Sequence, residues 1–378
     1  MHVTVLKFGG ASFLEPDDYG RVASQIARRR GAGKIVAVVS AMSGTTGKLK
    51  AVMLDVNNRA PPSALDAALA TGEMLSACLL EAAISRLDIP VASLCGYSLG
   101  ISTNSDFGRA SIEEVDSTPV FRALKNNDIV IVTGGQAIDR SGRLTMLGRN
   151  SSDLTAVVIA AALNCPSCEI YSDVCGVYTA DPYIIPGARL IPELTYRATA
   201  QMSQHGAKVL HHRAVEYAER HGVSIICKSL QGDGEFAGTR VGHGREAHSV
   251  VVARDATLLC YNEVSDRDLA CSNLDQIEVG AIPLTTQGGD ACVCLTSDAD
   301  FAIQRLERTG PLPSSIESAT LVSEIGPGEP RHHLEHEFER AVDLAKRIHG
   351  TLYPEEDTKF IAKANKQRSP YSSLLLSS

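Results

Sequence analysis

The residues of this chain best suited to chemistry are cations and carboxylates set in turns rich in glycine and hydroxyl groups. The richest turn is Gly148-Arg149-Asn150-Ser151-Ser152-Asp153-Leu154-Thr155-Ala156, which leads into an apolar run ending in Ala160-Ala161-Ala162-Leu163. That run reads as a buried helix. Its first turn would gather unpaired backbone N–H groups, the Ser152 hydroxyl, the Arg149 guanidinium and the Asp153 carboxylate. Helix N-termini attract anions because their first amides are unpaired and the dipole is positive there. Asp153 would also suit a first helical turn with no ligand present.

Lys7-Phe8-Gly9-Gly10 sets one ammonium beside two glycines, where Lys7, Gly9 and Gly10 could surround a phosphate. The spacing is not that of a P-loop, and a plain strand-end turn is the other reading. Ser40-Ala41-Met42-Ser43-Gly44-Thr45-Thr46-Gly47 is a second such loop. Ser43 and Gly44 offer polar groups, and Thr46 either faces a ligand or caps the following helix. In Thr71-Gly72-Glu73 a carboxylate interrupts an apolar helical stretch, which is costly unless it is paired or faces a cleft. Glu73 either receives a substrate ammonium or pairs at the surface. Residues 172–182 carry Ser172, Asp173, Tyr178 and Asp181, a set that could line a nucleoside or form an ordinary loop. Lys208 could be a second phosphate cation. His211 and His212 read as structural or surface residues, because no Cys or carboxylate stands at metal-ligand spacing. Cys165-Pro166-Ser167-Cys168 lacks a redox-motif context. His332 and His336 read as a solvated face of an acidic helix. No protein metal site is expected.

The elements that must position these groups alternate. Strands are expected at 2–7, 34–39, 128–133 and 168–172, the β-branched 34–39 run being typical of a strand buried on both faces. Helices are expected from Pro16 to Arg30, over 62–86 and after Ser152. Alternation of this kind gives an α/β sheet with helices on both faces, and ligands of such sheets bind beyond the strands' carboxyl ends. Those ends are the turns just described. After about Thr239 the pattern becomes a smaller α+β one. Two short strands are expected in 249–262, one at 291–296, a helix at 298–309, a linker at 311–315, a strand at 320–325 and a helix at 333–349. From 365 the polar tail is expected to be disordered.

The chain has 378 residues, room for two or three domains, and 44% hydrophobic residues to build their cores. Its net charge of −8 and its lack of Trp argue against nucleic acid as a partner. No apolar run long enough for a bilayer is expected, and the start lacks the features of a secretory signal. The ten cysteines have no framework spacing and are expected to be reduced thiols of a cytoplasmic protein.

Taken in order, the motifs resemble the aspartate kinase branch of the amino acid kinase family. Lys7-Phe8-Gly9-Gly10-Ala11-Ser12, the loop from Ser40, Gly72-Glu73, Leu147-Gly148-Arg149 with Ser152-Asp153, Ser172-Asp173 to Asp181-Pro182 and Gly206 to His211 carry the resemblance, over roughly 1–242. It implies a three-layer αβα sandwich with a largely parallel central sheet, followed over 245–364 by an ACT-like regulatory or dimerisation region. That region would consist of degenerate modules at about 245–310 and 318–364. It further implies transfer of the ATP γ-phosphoryl group to the side-chain carboxylate of L-aspartate by a homodimer, with Mg²⁺ held mainly by ATP. Lys7, Asp153 and Lys208 would be catalytic. Thr46, Glu73, Arg149 and Ser152 would meet the amino acid, and Lys7, Gly9, Gly10, Ser43, Gly44, Ser172, Asp173, Tyr178, Asp181 and Lys208 would meet ATP.

The chain departs from the family pattern at several places. Asn150 and Ser151 stand where two glycines are usual, a costly change if those glycines have positive φ. Gly135 replaces an aromatic and Tyr183 an arginine. Two other readings follow: a kinase of another small amino acid or carboxylate, and a non-catalytic binding paralogue.

Overall fold

The computed structural model describes residues 2–230, 238–286 and 288–354. The chain divides into two compact units, Met1–Gly176 with Leu210–Gly244 and Val177–Val209 with Arg245–Ser378. The second unit thus takes in residues 177–209, which lie inside the 1–242 span of the sequence reading.

In the first unit a sheet runs in the order Gly238–Gly242, Ser224–Ser229, Ser167–Ser172, Val3–Phe8, Lys34–Val39, Ile129–Thr133 and Val91–Leu94. From Ser224–Ser229 to Val91–Leu94 every pairing is parallel. The central strands are buried on both faces, as their β-branched composition requires. One face, through Phe8, Ile35, Ala37 and Ile131, packs on the helices Asp17–Arg29 and Pro62–Ser85. The helix Ser152–Ala162 packs against Val3–Phe8 and Ser167–Ser172 and is buried from Ser152 to Ala160. The expected α/β class and its largely parallel sheet are what the chain forms.

Beyond the strands' carboxyl ends sits a small sheet in the order Ile112–Val115, Ile101–Thr103, Gln136–Asp139 and Leu144–Met146. The sequence reading did not foresee it, because strands of three or four residues carry no usable period. Helix Pro62–Ser85 overturns the expectation that no apolar stretch is long enough for a bilayer, since its 24 residues suffice by length and composition. It packs against the central sheet and the small one, and Asp66 and Glu73 share its buried stripe with Ala70, Ala77, Leu80 and Ile84. This is the pattern of a core helix.

The second unit contains a sheet ordered Ile282–Thr285, Ala291–Leu295, Ser249–Tyr261, Ser315–Ile325 and Arg331–Glu335. Helices Val264–Asp275 and Ala299–Thr309 cover one core cluster, and Phe338–Leu352 another. Three expectations fail here. Residues 249–261 form one strand, whose register shifts between Ala253 and Ala256 where Asp255 takes a φ of 60°. The polar Arg254-Asp255 pair marked an irregularity in one strand, not a gap between two. The expected helix at 333–349 is an edge strand, Arg331–Glu335, and then a helix, Phe338–Leu352. The helical spacing of His332 and His336 therefore does not exist. His332 stacks on His205 with ring centroids 4.9 Å apart. Ser315 begins a strand, so the expected linker is shorter by its last residue. The expected disordered tail lies outside the described residues.

All ten cysteines are free thiols. Burial raises the Cys168 and Cys227 thiols, which disfavours the thiolates that oxidation would need.

Candidate active site

Lys7 lies in the strand Val3–Phe8, one residue from its carboxyl end. Its Nζ stands 2.7 Å from Asp153 Oδ1 in the first turn of the helix Ser152–Ala162, with little of either side chain exposed. The contact is an ion pair between two largely buried side chains. The other oxygen of Asp153 accepts from His211 N at 3.2 Å. A single carboxylate therefore fixes both the ammonium and the chain entering the helix His212–His221.

Gly9 explains why the ammonium can sit there. A Cβ on Gly9 would lie 3.2 Å from Lys7 Nζ, so a side chain would crowd the charge. Gly9 N is already taken by Tyr171 O at 3.3 Å, and Ser43 N by Phe13 O at 2.9 Å. Among the described residues Gly10 N and Gly44 N make no such loop bond. Gly9 contributes its missing side chain and not its N–H.

The second loop meets the start of the helix Ser152–Ala162 through Ser40, whose hydroxyl donates to Ser152 Oγ at 2.8 Å. Gly44, with no side-chain cap bond, is the N-cap of the helix Thr45–Val56. Thr46 is exposed inside the first turn, which rules out the reading in which it caps the helix.

Glu73 is 7% exposed. Its Oε1 accepts from Ala41 N at a long 3.4 Å, and Oε2 has no partner among the described residues. Burial pushes this carboxyl up to about 7, while its weak backbone hydrogen bonds pull the other way. A surface ion pair, the bland reading of Glu73, is excluded. A buried carboxylate with one bare oxygen is suited to a cationic ligand.

The turn at 148–151 answers the question about its missing glycines. Asn150 has a φ of 58°, so that position does demand the left-handed region, and asparagine is among the side chains that enter it most readily. Ser151 has a φ of −79° and needs no glycine. Its hydroxyl donates to Gly148 O at 2.7 Å and tightens the turn. Arg149 is exposed, and its guanidinium has no partner among the described residues.

The structure thus brings Lys7, Gly9 and Asp153 together and joins Ser40 to Ser152. Ser172 Oγ donates to Val174 O at 3.0 Å, and Asp173 is exposed beside it. Tyr178, Asp181 and Lys208 belong to the second unit. There Tyr178 packs on a core cluster, Asp181 accepts from Tyr183 N at 2.8 Å, and Lys208 is exposed.

Sequence reasoning missed Asp66, Arg109 and Arg213, all buried. Asp66 had a signal. It lies on the same helical stripe as Glu73, where an acid is as costly as Glu73 itself. Arg213 had none beyond its closeness to His211, and Arg109 lies in a loop that showed no period.

A largely parallel α/β sheet with a lysine, two glycine loops and a helix N-terminus at its strand ends defines a class. The chain belongs to the amino acid kinase family, whose sequence model matches residues 2–229. Within that family it is similar to curated aspartokinases. That of Thermus thermophilus is 40% identical over 230 residues, covering 61% of this chain and 57% of the relative. That of Pseudomonas aeruginosa is 38% identical over 226 residues, 60% of this chain and 55% of the relative. The chain therefore matches little more than half the length of these relatives. Aspartokinase III of E. coli, solved with aspartate and ADP, shares the fold with a TM-score of 0.70 at 23% identity, over 86% of this chain and 88% of that one.

Proposed function

We propose that this protein transfers the γ-phosphoryl group of ATP to the side-chain carboxylate of L-aspartate, giving 4-phospho-L-aspartate. The observation that carries the reading is the Lys7 ammonium, held by Asp153 above the bare Cα of Gly9. Phosphoryl transfer needs positioning and charge stabilisation more than covalent help. An ammonium fixed before the reaction meets the developing charge without reorganising. The aspartokinase relatives support the acceptor.

In this reading Lys7 neutralises the transferring phosphoryl group and Asp153 keeps its ammonium aimed. Gly10 and Gly44 offer amides to phosphate oxygens. Glu73 takes the amino acid's ammonium on its bare oxygen, and Arg149 grips a carboxylate with its fork of N–H groups. Ser152 and Thr46 complete the acceptor side. Ser172 and Asp173 border the nucleotide side, and Tyr178, Asp181 and Lys208 are assigned to it by the resemblance. Magnesium, carried on the nucleotide phosphates, would screen their charge. Among the described residues no cluster of His, Cys, Asp or Glu is grouped to hold a metal.

We further assign 1–242 to the kinase domain and 245–364 to an ACT-like region serving regulation and dimerisation, in a cytoplasmic homodimer without nucleic-acid or membrane partners.

Hydroxylamine trapping tests the reaction. Protein with Mg-ATP and aspartate should yield the hydroxamate, and Lys7→Ala should abolish it. Hydroxamate from another small amino acid alone would replace the acceptor. Nucleotide binding with no turnover on any acceptor would remove the enzyme reading altogether.

A further inference from the structure

The backbone leading into Arg149 is held at nearly every polar group. Met146 N donates to Asp66 Oδ2 at 2.8 Å, and Met146 O accepts from Ala110 N at 2.8 Å. Leu147 N donates to Gly135 O at 2.8 Å, and Leu147 O accepts from Arg213 Nη1 at 2.9 Å. Gly148 O accepts from Ser151 Oγ. The same two buried side chains also hold the neighbouring loop. Asp66 Oδ2 accepts from Gly108 N at 2.9 Å, and Arg213 Nη2 donates to Ala110 O at 3.2 Å. Asp66 is 1% exposed and Arg213 4%, so neither bond is shared with bulk water.

Asp66 and Glu73 are on one helix, on one buried stripe. Seven residues apart, they stand roughly 10 Å from each other along its axis. The helix therefore carries the carboxylate assigned to the substrate ammonium and, two turns earlier, the carboxylate that pins the end of the strand Leu144–Met146, three residues before Arg149. Its length between those points is a fixed gauge.

We propose that Asp66, with Arg213, is a positioning residue that sets where Arg149 presents its guanidinium relative to Glu73. This pair would select acceptors by the span between ammonium and carboxylate, favouring small amino-dicarboxylic acids. The inference rests on the assignment of Arg149 and Glu73 as acceptor ligands.

One oxygen of Asp66 accepts both backbone bonds, so Asp66→Asn retains the acceptor and Asp66→Ala removes it. In steady-state assays Asp66→Ala should raise the KM for aspartate about tenfold or more while leaving the KM for ATP near wild type. Asp66→Asn should restore the wild-type value. In hydrogen exchange the amides of Gly108 and Met146 should lose protection in the Ala variant and keep it in the Asn variant. Should Asp66→Ala fail to fold, Arg213→Lys serves in its place, since one ammonium cannot span both carbonyls. Its aspartate KM should rise in the same direction, and the amide of Ala110 should lose protection.

An unchanged aspartate KM in the informative variant, or unchanged protection, overturns the proposal. So does Asp66→Asn behaving as Asp66→Ala. If the wild type makes no hydroxamate from aspartate, the functional reading has failed. Hydrogen exchange then decides alone whether Asp66 holds this segment.

Discussion

Asn150 decides how the signature turn tolerates its unusual sequence. Its φ of 58° lies where a β-branched side chain would clash with its own backbone. Asn150→Val should cost about 1–2 kcal/mol, read as a lowered urea midpoint. Asn150→Gly should stay within about 0.5 kcal/mol of wild type and leave the aspartate KM unchanged, because glycine enters the same region freely. A large gain in turnover on Asn150→Gly would show instead that the side chain obstructs the acceptor. At this scale the sequence was readable where a residue type is costly out of context. Lys7 beside two glycines and Glu73 inside an apolar stretch were visible for that reason. Asp66, an acid on the same stripe, carried the same signal, but neither its backbone partners nor those of Arg213 could be read, since they lie far away in the chain and a backbone group leaves no mark in a sequence.

The helix Ser152–Ala162 shows what the elements contribute. It meets the turn at Gly134-Gly135, where Thr155 Oγ1 accepts from Gly135 N at 2.8 Å. A Cβ on Gly134 would lie 2.6 Å from Ser152 Cβ, a distance that forces something to shift. Gly134→Ala should therefore destabilise by about 1–3 kcal/mol and push the helix start, with Asp153, away from Lys7. Ser152→Gly in the same chain should recover most of that loss, and a double-mutant cycle on unfolding free energy measures the coupling. Additive effects would mean that the two residues do not in fact press on each other. The long elements here were legible. Five consecutive buried β-branched or small residues after Lys34 leave little choice, and an apolar run after Ser152 is too long for a strand. The short strands of the second sheet were not, although they deliver Met146 and the loop holding Arg109. Arg331–Glu335 was misread because the edge strand and the helix after it share one polar composition, which erases the boundary between them.

Stability of the whole molecule should carry the mark of the acceptor site. Burial holds the Glu73 carboxyl at about 7, whereas an unfolded glutamate titrates near ~4.3. The native protein therefore binds this proton more tightly than the unfolded chain does. The resulting stabilisation is complete below the unfolded value and is lost as pH rises through about 7. Asp66, held at about 6 by burial, adds in the same direction over a lower window. For Glu73 the gap corresponds to roughly 4 kcal/mol, a large share of what a domain has. Glu73→Gln keeps the shape and never ionises, so it should melt above wild type at pH 8 and close to it near pH 5. Saturating aspartate should narrow the difference at pH 8 by stabilising wild type alone, because a substrate ammonium on the bare oxygen supplies the missing partner. Glu73→Gln melting below wild type at pH 8 would mean that the carboxylate already has a cation in the native protein, and that Glu73 is part of the fold's own bonding and not of its site. The expected order is the one in which a group kept for its ligand makes the empty protein weaker.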